Sequence, residues 1–454
     1  MDYGVLTLLP PILAITMAII SKRTIESLLL GAIASYVIVG GANFLPMTVD
    51  ALFETITDYD NAWLILVCGL FGSLIALLNS SKATYAASKF IGKFCKSEKS
   101  TLIVSWIMGI IIFIDDYMNI LTISACTRKL CDERKIPRES LAYVIDSTGA
   151  PTCVLLPFST WAIFFAGVFY EYDAVKALGL GTAIQTYTHV IPFIFYAILA
   201  LAIVPLFIMG IVPKFGAMKD AYDRVKTTGM VFSKGSEYLN KVKEDTTNSS
   251  SASIWDFLVP VVAMILITTI QGDMFLALIV SILICAVMYI PRKKINASEF
   301  CDLWVRGFAD TIPALAIIVA ALLMRKAAND LGLPEYVVSV VQPYMSAVTF
   351  PLFTFIIVSV LGFVTGSNWG TPAVCAAIMI PLGAAIDANM LLVMGAIVSG
   401  GTFCSHACFY SDATVITSTA CGIDNMDHVK TQMPYAMIGF AISCILYLLV
   451  GFIM

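Results

Sequence analysis

The sequence predicts an all-α polytopic membrane protein, built as an inverted repeat with discontinuous helices. Hydrophobic residues make up 59% and charged residues 13% of the 454 residues, whereas soluble domains carry about 25% charged residues. Apolar segments long enough to cross a bilayer recur along the whole chain. One polar stretch, residues 214–253, separates two halves of similar length. The expected domains are therefore residues 1–213, a linker at 214–253, and residues 254–454.

Each apolar segment is a candidate for a span, which needs about 20 residues. These segments lie at 4–21, 25–44, 62–80, 101–126, 139–169, 180–212, 254–271, 274–291, 304–324, 344–386, 391–420 and 433–454.

The charge of the loops predicts the orientation of the spans, because Lys and Arg are enriched in cytoplasmic loops. Lys22 and Arg23 follow the first span, which places that loop inside. The loop at 50–60 is acidic and is expected outside, and the lysine-rich loop at 82–99 is expected inside. If successive crossings alternate in direction along the chain, the linker at 214–253 is expected on the cytoplasmic side.

Two segments are better explained as re-entrant hairpins than as crossings. Segment 101–126 is followed by a strongly basic loop, which a full crossing would place outside, against the rule. We therefore expect the sequence IDDYMN, residues 114–119, at a hairpin tip. Segment 344–386 is interrupted by TGSNWGTP, residues 365–372, which predicts a second tip. Each half then has five crossings and one hairpin, and an odd number of crossings inverts the second copy.

Asp115 and Asp116 are the most informative residues, because they lie inside an apolar segment. An ionised carboxylate near the bilayer centre costs about 2.5–3.5 kcal/mol on insertion scales. Together with Asn119 they could coordinate a cation or exchange protons. The alternative is that one of the pair caps a helix N-terminus. Their depth makes the chain a transporter candidate.

A second polar group, Asp146, Ser147 and Thr148, precedes Gly149 and Pro151. Proline frees backbone carbonyls, which can bind a cation. The alternative is that Asp146 caps the following half-helix and that the hydroxyls bond back to the helix.

The second predicted tip contributes Ser367, Asn368, Trp369 and Thr371. Trp369 could stack on an organic or cationic substrate, or it could be a packing residue at the hairpin tip.

The segment SHACFYSDAT contributes the last group, His406, Tyr410, Ser411 and Asp412. His406 and Asp412 could relay protons, although a lone membrane histidine can also be a hydrogen-bonded helix contact. We expect His428 at the cytoplasmic surface.

The candidate cavity residues Asp115, Asp116, Asp146 and Asp412 are acidic. The only basic residues near the depth of a span are Arg325 and Lys326, at the end of one. These two fall on the wrong side for the loop rule unless they line the cavity. The balance favours a cationic cargo, or an anionic or zwitterionic cargo bound together with Na+.

Several motifs resemble those of the NhaC-type sodium/proton antiporter family. They are FIDDYMN, AYVIDSTGAP, TGSNWGT, SDAT and HVKTQMPYA. The resemblance implies inverted repeats with paired hairpins, and exchange of Na+ and H+ or of organic solutes such as malate for lactate. It implies cation or substrate contacts at Asp115, Asp116, Asn119, Asp146, Ser147, Thr148, Ser367, Trp369, Thr371, His406, Ser411 and Asp412. From this set we assign Na+ to Asp116, Asn119, Asp146 and Asp412, and we add Asn368 and Tyr410 as substrate contacts.

The chain departs from the family pattern GDHCSPISDTT at its second-half site. The usual Asp is Ser405, and Cys408, Phe409 and Tyr410 replace Ser-Pro-Ile. One Thr is Ala413, and Asn368 replaces the Thr or Ser that usually precedes the tryptophan. One acid is lost and two aromatic rings are gained, which indicates a larger and partly apolar cargo.

The predicted function is Na+-coupled antiport, either Na+/H+ or Na+ against a small organic cation or amino acid. An organic-acid antiporter of the malate/lactate kind is the alternative. A polytopic membrane enzyme is disfavoured by only three scattered histidines and no H-E-x-x-H motif, and a passive channel is a third option. We expect no cofactor beyond Na+ and/or H+ as coupling ions, a multi-pass location in the cell (inner) membrane, a homo-oligomer and no nucleic-acid partner.

Overall fold

The computed structural model of the protein describes residues 3–21, 23–113, 115–157, 159–240, 253–271, 273–341 and 345–454. Within these ranges all regular structure is helical, which confirms the predicted all-α class. Residues 241–252 of the predicted linker lie outside the described residues, as does the first residue of the predicted segment 344–386.

The described residues before the linker form thirteen helices. They are α1 (Leu9–Ser21), α2 (Thr24–Gly40), α3 (Phe44–Thr57), α4 (Tyr59–Ser80), α5 (Ala83–Ile91), α6 (Glu98–Ile111), α7 (Asp116–Glu133), α8 (Arg138–Asp146), α9 (Ala150–Leu155), α10 (Thr160–Tyr170), α11 (Asp173–Lys176), α12 (Ala183–Val190) and α13 (Phe195–Met209).

In the described part of the linker there is one helix, and the described residues after the linker form ten. They are α14 (Gly216–Thr228), α15 (Trp255–Gln271), α16 (Met274–Tyr289), α17 (Ala297–Asp310), α18 (Ile312–Asp330), α19 (Leu333–Val341), α20 (Phe350–Thr365), α21 (Gly370–Ala385), α22 (Met390–Ala407), α23 (Asp412–Cys421) and α24 (Asn425–Ile453). Short 3-10 turns lie at Gly4–Leu8, Gly41–Asn43, Ile191–Phe193 and Lys234–Asn240.

Four stretches of the described residues are long and apolar enough to cross a bilayer unaided: Ile25–Thr57, Asn61–Ser80, Met390–Cys421 and Asn425–Ile453. Three further stretches qualify if a bend of 44° to 55° is counted within a span: Arg138–Tyr170, Ala183–Met209 and Ala297–Asp330. Side chains on the outer helices point away from the protein, and Ile270 on α15 and Val287 on α16 are 78% and 74% exposed. Nearly all of α22 is buried. Apolar residues outside and a buried central helix are what lipid as solvent requires.

The acidic residues near the start of the chain are on a helix and not in the predicted loop. Asp50 and Glu54 belong to α3, which follows α2 after a single 3-10 turn. Glu54 accepts an ion pair from Lys326 of α18, with 2.8 Å between the charged atoms. The expected loop conformation at 50–60 was therefore wrong, since helices cover this stretch except at Asp58 and the ion pair with α18 compensates the charge of Glu54; the expected outer side stays a prediction.

Both predicted tips are helix breaks. At the first, α6 ends at Ile111, and Asp115 has extended backbone and caps α7. The residues from Asp116 to Asn119 form the first turn of α7, so the break lies slightly before the expected one. Because helix α6 packs on α7, the polar side chains of this turn face the protein interior.

At the second break, Gly366 ends α20 in the left-handed region, with φ of +67°. A Cβ atom at this position would lie 2.4 Å from the ring of Tyr410. Glycine is therefore needed both for its backbone conformation and for the close approach of the next segment.

The segments predicted to be discontinuous are interrupted. Helices α8 and α9 are separated at 147–149, and α22 and α23 at 408–411. A proline in the first turn of α9 lacks the N–H that a continuous helix would need there. These breaks bring helix ends, with their unpaired backbone groups, into the interior.

The linker is more than a spacer, because residues 214–240 pack against both halves. Met218 and Tyr222 of α14 are buried. Arg224 forms an ion pair with the buried Glu139 of α8 at 2.9 Å. Asn240 accepts a hydrogen bond from Arg138 at 2.6 Å and donates one to the carbonyl of Gly422 at 2.8 Å. We call residues 214–240 the linker strap.

Helices α4 and α17 join the two halves by a close crossing. Ser73 on α4 donates a hydrogen bond to the carbonyl of Trp304 on α17 at 2.8 Å. A Cβ atom on Gly72 would lie 2.4 Å from the carbonyl oxygen of Gly307. Small residues let helix backbones approach closely in membranes, so a side chain at Gly72 must push the two helices apart.

We predict that Gly72→Leu lowers the thermal stability of the detergent-solubilised protein, because overpacking at a close contact costs about 1–3 kcal/mol. Gly167→Leu on α10 is the matched control, since no atom lies within 4 Å of its Cβ position. The measurement is the unfolding temperature of each variant. Equal unfolding temperatures for the two variants would contradict the close crossing.

Candidate functional site

A cavity of about 480 Å³ lies where the two helix breaks meet the first turns of α4 and α23. Its walls combine aromatic rings with a few charged side chains. The lining residues are Tyr59, Asn61, Trp63, Asp115, Tyr117, Thr160, Phe164, Asp273, Ile318, Leu322, Arg325, Thr365, Gly366, Ser367, Asn368, Trp369, Tyr410 and Asp412. This volume and mixture are typical of a site for a small molecule.

Asp412 links three elements of the cavity wall. It is the first residue of α23, and its Oδ1 accepts hydrogen bonds from its neighbour's backbone N–H at 2.7 Å and from Asn368 Nδ2 at 2.8 Å. Its Oδ2 accepts a hydrogen bond from the Tyr117 hydroxyl at 2.6 Å. A longer hydrogen bond comes from the Ser411 hydroxyl at 3.4 Å, so a helix N-terminus and three side-chain donors stabilise the charge of this carboxylate.

Asp115 caps helix α7, as the alternative interpretation of the sequence proposed. Its Oδ1 accepts hydrogen bonds from the backbone N–H groups of Tyr117 and Met118 at 3.0 and 3.1 Å. Its Oδ2 accepts one from the Thr160 hydroxyl at 3.2 Å. The same carboxylate lines the cavity, so capping and contact with a bound species are compatible.

Asp116 and Asn119 leave several oxygen atoms without hydrogen bonds. Asp116 is fully buried, and neither of its carboxylate oxygens has a hydrogen-bond partner among the described residues. The indole N–H of Trp161 approaches this carboxylate without reaching hydrogen-bond geometry. Asn119 lies one turn along the same helix, and its Oδ1 is also buried without a partner there.

Backbone carbonyls hold the amide nitrogen of Asn119. Its nitrogen donates to the carbonyls of Gly109 and Ile112 at 2.6 and 2.8 Å, and its contact with the Thr148 carbonyl is 3.3 Å. The amide oxygen must therefore point away from these carbonyls. Buried acceptors without donors are costly, and a cation or an added proton would remove that cost.

Arg325 lines the cavity, which resolves its conflict with the loop rule. It lies on the same face of α18 as Ile318 and Leu322, at spacings of seven and three residues. Its guanidinium donates to Asn61 Oδ1 at 3.0 Å and to Ser367 Oγ at 3.3 Å. Lys326, the next residue, instead pairs with Glu54 on α3. Of the two basic residues that the sequence placed near the cavity, Arg325 thus lines it and Lys326 does not.

Trp369 both packs and faces the cavity. Its ring centroid lies 4.5 Å from that of Trp161 and 4.9 Å from that of Phe164. Because Phe164 and Trp369 line the cavity together, they form an aromatic wall against which a cargo can stack.

A second polar cluster lies outside the cavity lining. Asp146 Oδ2 accepts hydrogen bonds from His428 Nε2 at 3.0 Å and from Gln432 Nε2 at 2.6 Å. His406 contacts the Ser147 hydroxyl at 2.8 Å and the Tyr196 hydroxyl at 2.7 Å.

These contacts correct three expectations. His428 is fully buried and not at the surface. His406 bonds to Ser147 and Tyr196, so the expected His406–Asp412 relay is not formed. Asp146 ends α8 and binds α24, so it does not cap the following half-helix. The alternative interpretation of the hydroxyls, that they bond back to the helix, holds for Thr148, whose hydroxyl donates to the carbonyl of Val144 at 3.1 Å.

Six of the predicted site residues line the cavity: Asp115, Ser367, Asn368, Trp369, Tyr410 and Asp412. The others lie behind it: Asp116, Asn119, Asp146, Ser147, Thr148, Thr371, His406 and Ser411. Thr371 shares a hydrogen bond of 2.6 Å with Thr365 across the second break. The four expected Na+ contacts are divided among three places, since Asp116 and Asn119 share one turn of α7, Asp412 lines the cavity and Asp146 binds α24.

Sequence reasoning missed several residues of the site. Tyr117 lies within the IDDYMN sequence, but only its contact with Asp412 reveals its role. The sequence did indicate a special position for Arg325, because a basic residue there violates the loop rule. His428 and Gln432 belong to the motif HVKTQ, and their common partner Asp146 is 282 and 286 residues away along the chain.

The sequence pattern of the Na+/H+ antiporter family matches residues 165–452, which is more than half of the chain. An uncharacterised protein of Haemophilus influenzae is 26% identical over 99% of this chain and 91% of its own length.

Two relatives with named activities match shorter parts. The malate-2H+/Na+-lactate antiporter of Bacillus subtilis is 35% identical over 23% of this chain and 22% of its own length. The Na+/H+ antiporter NhaC of Alkalihalophilus pseudofirmus is 28% identical over 26% of this chain and 24% of its own length. With its apolar helices and its cavity between helix ends, the chain is a multi-pass membrane transporter, not an enzyme, and it belongs to the Na+/H+ antiporter family.

Proposed function

We propose that this protein exchanges Na+ on one side of the cell membrane for H+ or a small solute on the other, with Na+ bound between the two helix breaks. The observation that carries this proposal is the group of unpartnered oxygens of Asp116 and Asn119, behind a cavity lined by Asp115 and Asp412. Hard oxygen ligands suit Na+, and a buried carboxylate favours a bound cation.

Exchange follows if one carboxylate accepts either a sodium ion or a proton, but not both. A buried carboxylate is stable when it is neutralised, and each of the two cations does this. Asp116 is fully buried, so an uncompensated charge on it would be costly. Asp412 lines the cavity, so an ion in the cavity can contact it. Family membership supports Na+ and H+ as the coupling ions.

The cavity opens near residues that the loop charges place outside. Tyr59 and Asp273 stand at the starts of α4 and α16 and line the cavity, and Tyr59 is 80% exposed. The linker strap lies on the side that the loop charges make cytoplasmic. We infer that the structure is an outward-facing state, and that transport requires an inward-facing state in which the strap contacts rearrange.

The inverted repeat, residues 1–213 and 254–454 with a cytoplasmic linker at 214–253, is part of this proposal. Its support is reciprocal packing: α1 packs on α2 as α15 packs on α16, while α2 packs on α18 and α16 packs on α4. Such an exchange of partners is what two copies related by a pseudo-two-fold axis would show. Five crossings and one hairpin per half, and a homo-oligomer, stay predictions.

The cargo exchanged for Na+ has several candidates. They are H+ alone, a small organic cation, an amino acid, or an organic acid of the kind named for the Bacillus subtilis relative. The cavity of about 480 Å³ is larger than a proton or a single ion needs, which favours an organic cargo.

We predict that Asp116→Asn and Asp412→Asn each reduce Na+-driven exchange in proteoliposomes by about tenfold or more, because loss of a group that supports a bound ion costs at least that much affinity. Asp173→Asn is the control, since this aspartate is fully exposed. If both site variants keep wild-type flux, the Na+ site is assigned wrongly.

We also predict opposite accessibility for two single cysteines introduced after Cys301, the exposed cysteine, is replaced by serine. A membrane-impermeant maleimide should label Glu171→Cys from outside the cell and Lys219→Cys only from the cytoplasm, because their loops differ in expected side. Labelling of both from the same side would contradict the proposed topology.

A further inference from the structure

We propose that the exposed face of helix α17 is the contact between two copies of this protein in the membrane, with Arg306 of each copy in an ion pair with Asp310 of the partner subunit. This inference concerns assembly, so it goes beyond the proposed antiport and does not depend on the cargo or on the coupling ions. It starts from charged side chains at a depth where lipid cannot compensate for them.

Helix α17 packs beside the middle of a membrane span. Its neighbour α4 contains the span Asn61–Ser80. The Ser73 hydroxyl of α4 donates to the carbonyl of Trp304 at 2.8 Å, and a Cβ atom on Gly72 would lie 2.4 Å from the carbonyl oxygen of Gly307. Both α4 residues are less than one turn, about 5 Å, from the middle of that span. The second half of α17 is therefore near the bilayer centre.

Three ionisable residues form a row along α17: Asp302, Arg306 and Asp310. Residues four apart share one face of a helix, and all three side chains are exposed on the surface of a single protomer. Within the described part of the chain, none of these side chains forms an ion pair or a hydrogen bond. Asp302 is nearest the cytoplasmic end of the helix, so the other two lie deeper.

Arg306 and Asp310 are at the depth of the close crossing with α4. They precede Gly307 and Thr311, and both of these would contact a Cβ atom on Gly72 at 2.4 Å. An ionised side chain that faces hydrocarbon at this depth is costly, and ionisable residues in membrane spans almost always face protein or water or pair with one another. The two residues therefore need a partner that the described part of one protomer does not provide.

A second copy of the chain supplies that partner, because the charged row is complementary to itself. Copies in one membrane have the same orientation, so two α17 helices related by a two-fold axis along the membrane normal run parallel. Parallel helix pairs form salt bridges between the helices at the edges of the contact. Arg306 and Asp310 of the partner subunit are then offset by about 6 Å along the axis, which a long arginine side chain can bridge. Symmetry forms the pair twice.

The rest of the exposed face suits close packing of two helices. Cys301, Val305 and Ala309 form a second row at the same spacing beside the charged row, and all three are exposed, Val305 by 62%. Ala309 is a small residue next to Asp310, and small residues let helix backbones approach closely in membranes. The apolar row can thus supply packing, while the charged row sets the register of the two helices.

Sedimentation equilibrium of the full-length protein in detergent tests the ion pair by charge reversal. We expect a wild-type dimer. Arg306→Asp should raise its dissociation constant about tenfold or more, because an ion pair becomes a like-charge contact. The double variant Arg306→Asp with Asp310→Arg restores opposite charges and should recover most of the affinity. Asp173→Arg, on a fully exposed residue far from α17 in the sequence, is the control and should leave the dimer unchanged.

Cross-linking tests the same contact with all three charges in place, so it also decides if the charge variants fail to fold. In a chain whose Cys301 is replaced by serine, Ala309→Cys should form a disulfide between two copies when membranes are oxidised with copper phenanthroline, because equivalent residues meet at a two-fold contact. Ile163→Cys is the matched control, since this residue is 62% exposed on α10, which packs on α9 and α12. It should stay monomeric.

Three outcomes overturn the proposal. Equal weakening of the dimer by Arg306→Asp and by the double variant would show that the two residues do not pair. A dimer that is cross-linked through Ile163→Cys and not through Ala309→Cys would place the contact on α10. A wild-type monomer at every concentration, with no cross-link through Ala309→Cys, would mean that the charged row faces lipid headgroups or water and not a second copy.

Discussion

Charged groups deep in an apolar protein must be compensated by polar groups nearby, and most of the interior of this molecule is arranged around that constraint. Asp412 is held by Tyr117 from α7 and by Asn368 from the second break. Asp115 is held by the first turn of α7 and by Thr160 from α10. Carboxylates of this kind require helix ends and donors inside the membrane, which is why the helices are broken where they meet.

Asp116 is the exception to this compensation. The turn that supplies donors to Asp115 supplies none to Asp116, although the two residues are adjacent. Asn119, one turn further, uses its nitrogen to satisfy carbonyls freed at the first break and leaves its oxygen unpaired. These unpaired acceptors are the reason why we propose that a cation or a proton binds there.

The polar interior is divided between two functions. The cavity lining combines Arg325, carboxylates and aromatic rings, and it suits a small molecule. The cluster of Asp146, His428 and Gln432 joins α8 of the first half to α24 of the second. The linker strap also contacts both of these parts of the chain, so the proposed alternating-access cycle would require both sets of contacts to rearrange.

The sequence by itself determined the all-α class, the positions of most apolar segments, both helix breaks and the burial of Asp115, Asp116 and Asp412. These features depend on local composition. An apolar run, a glycine that interrupts it or a charged residue within it can be recognised from the sequence without knowing which distant residues it contacts. Motif resemblance added the family, which comparison confirmed.

Only the tertiary structure decided which of these residues share a site. Asp115 and Asp116 are indistinguishable by composition, but one caps a helix and lines the cavity while the other is buried behind it. His428 appeared to be a surface residue until α24 was placed against α8, and the role of Arg325 depended on which face of α18 meets the cavity. Contacts such as that of Asp146 with His428 join residues 282 positions apart, and their pairing is set by the packing of whole helices, which local sequence does not encode.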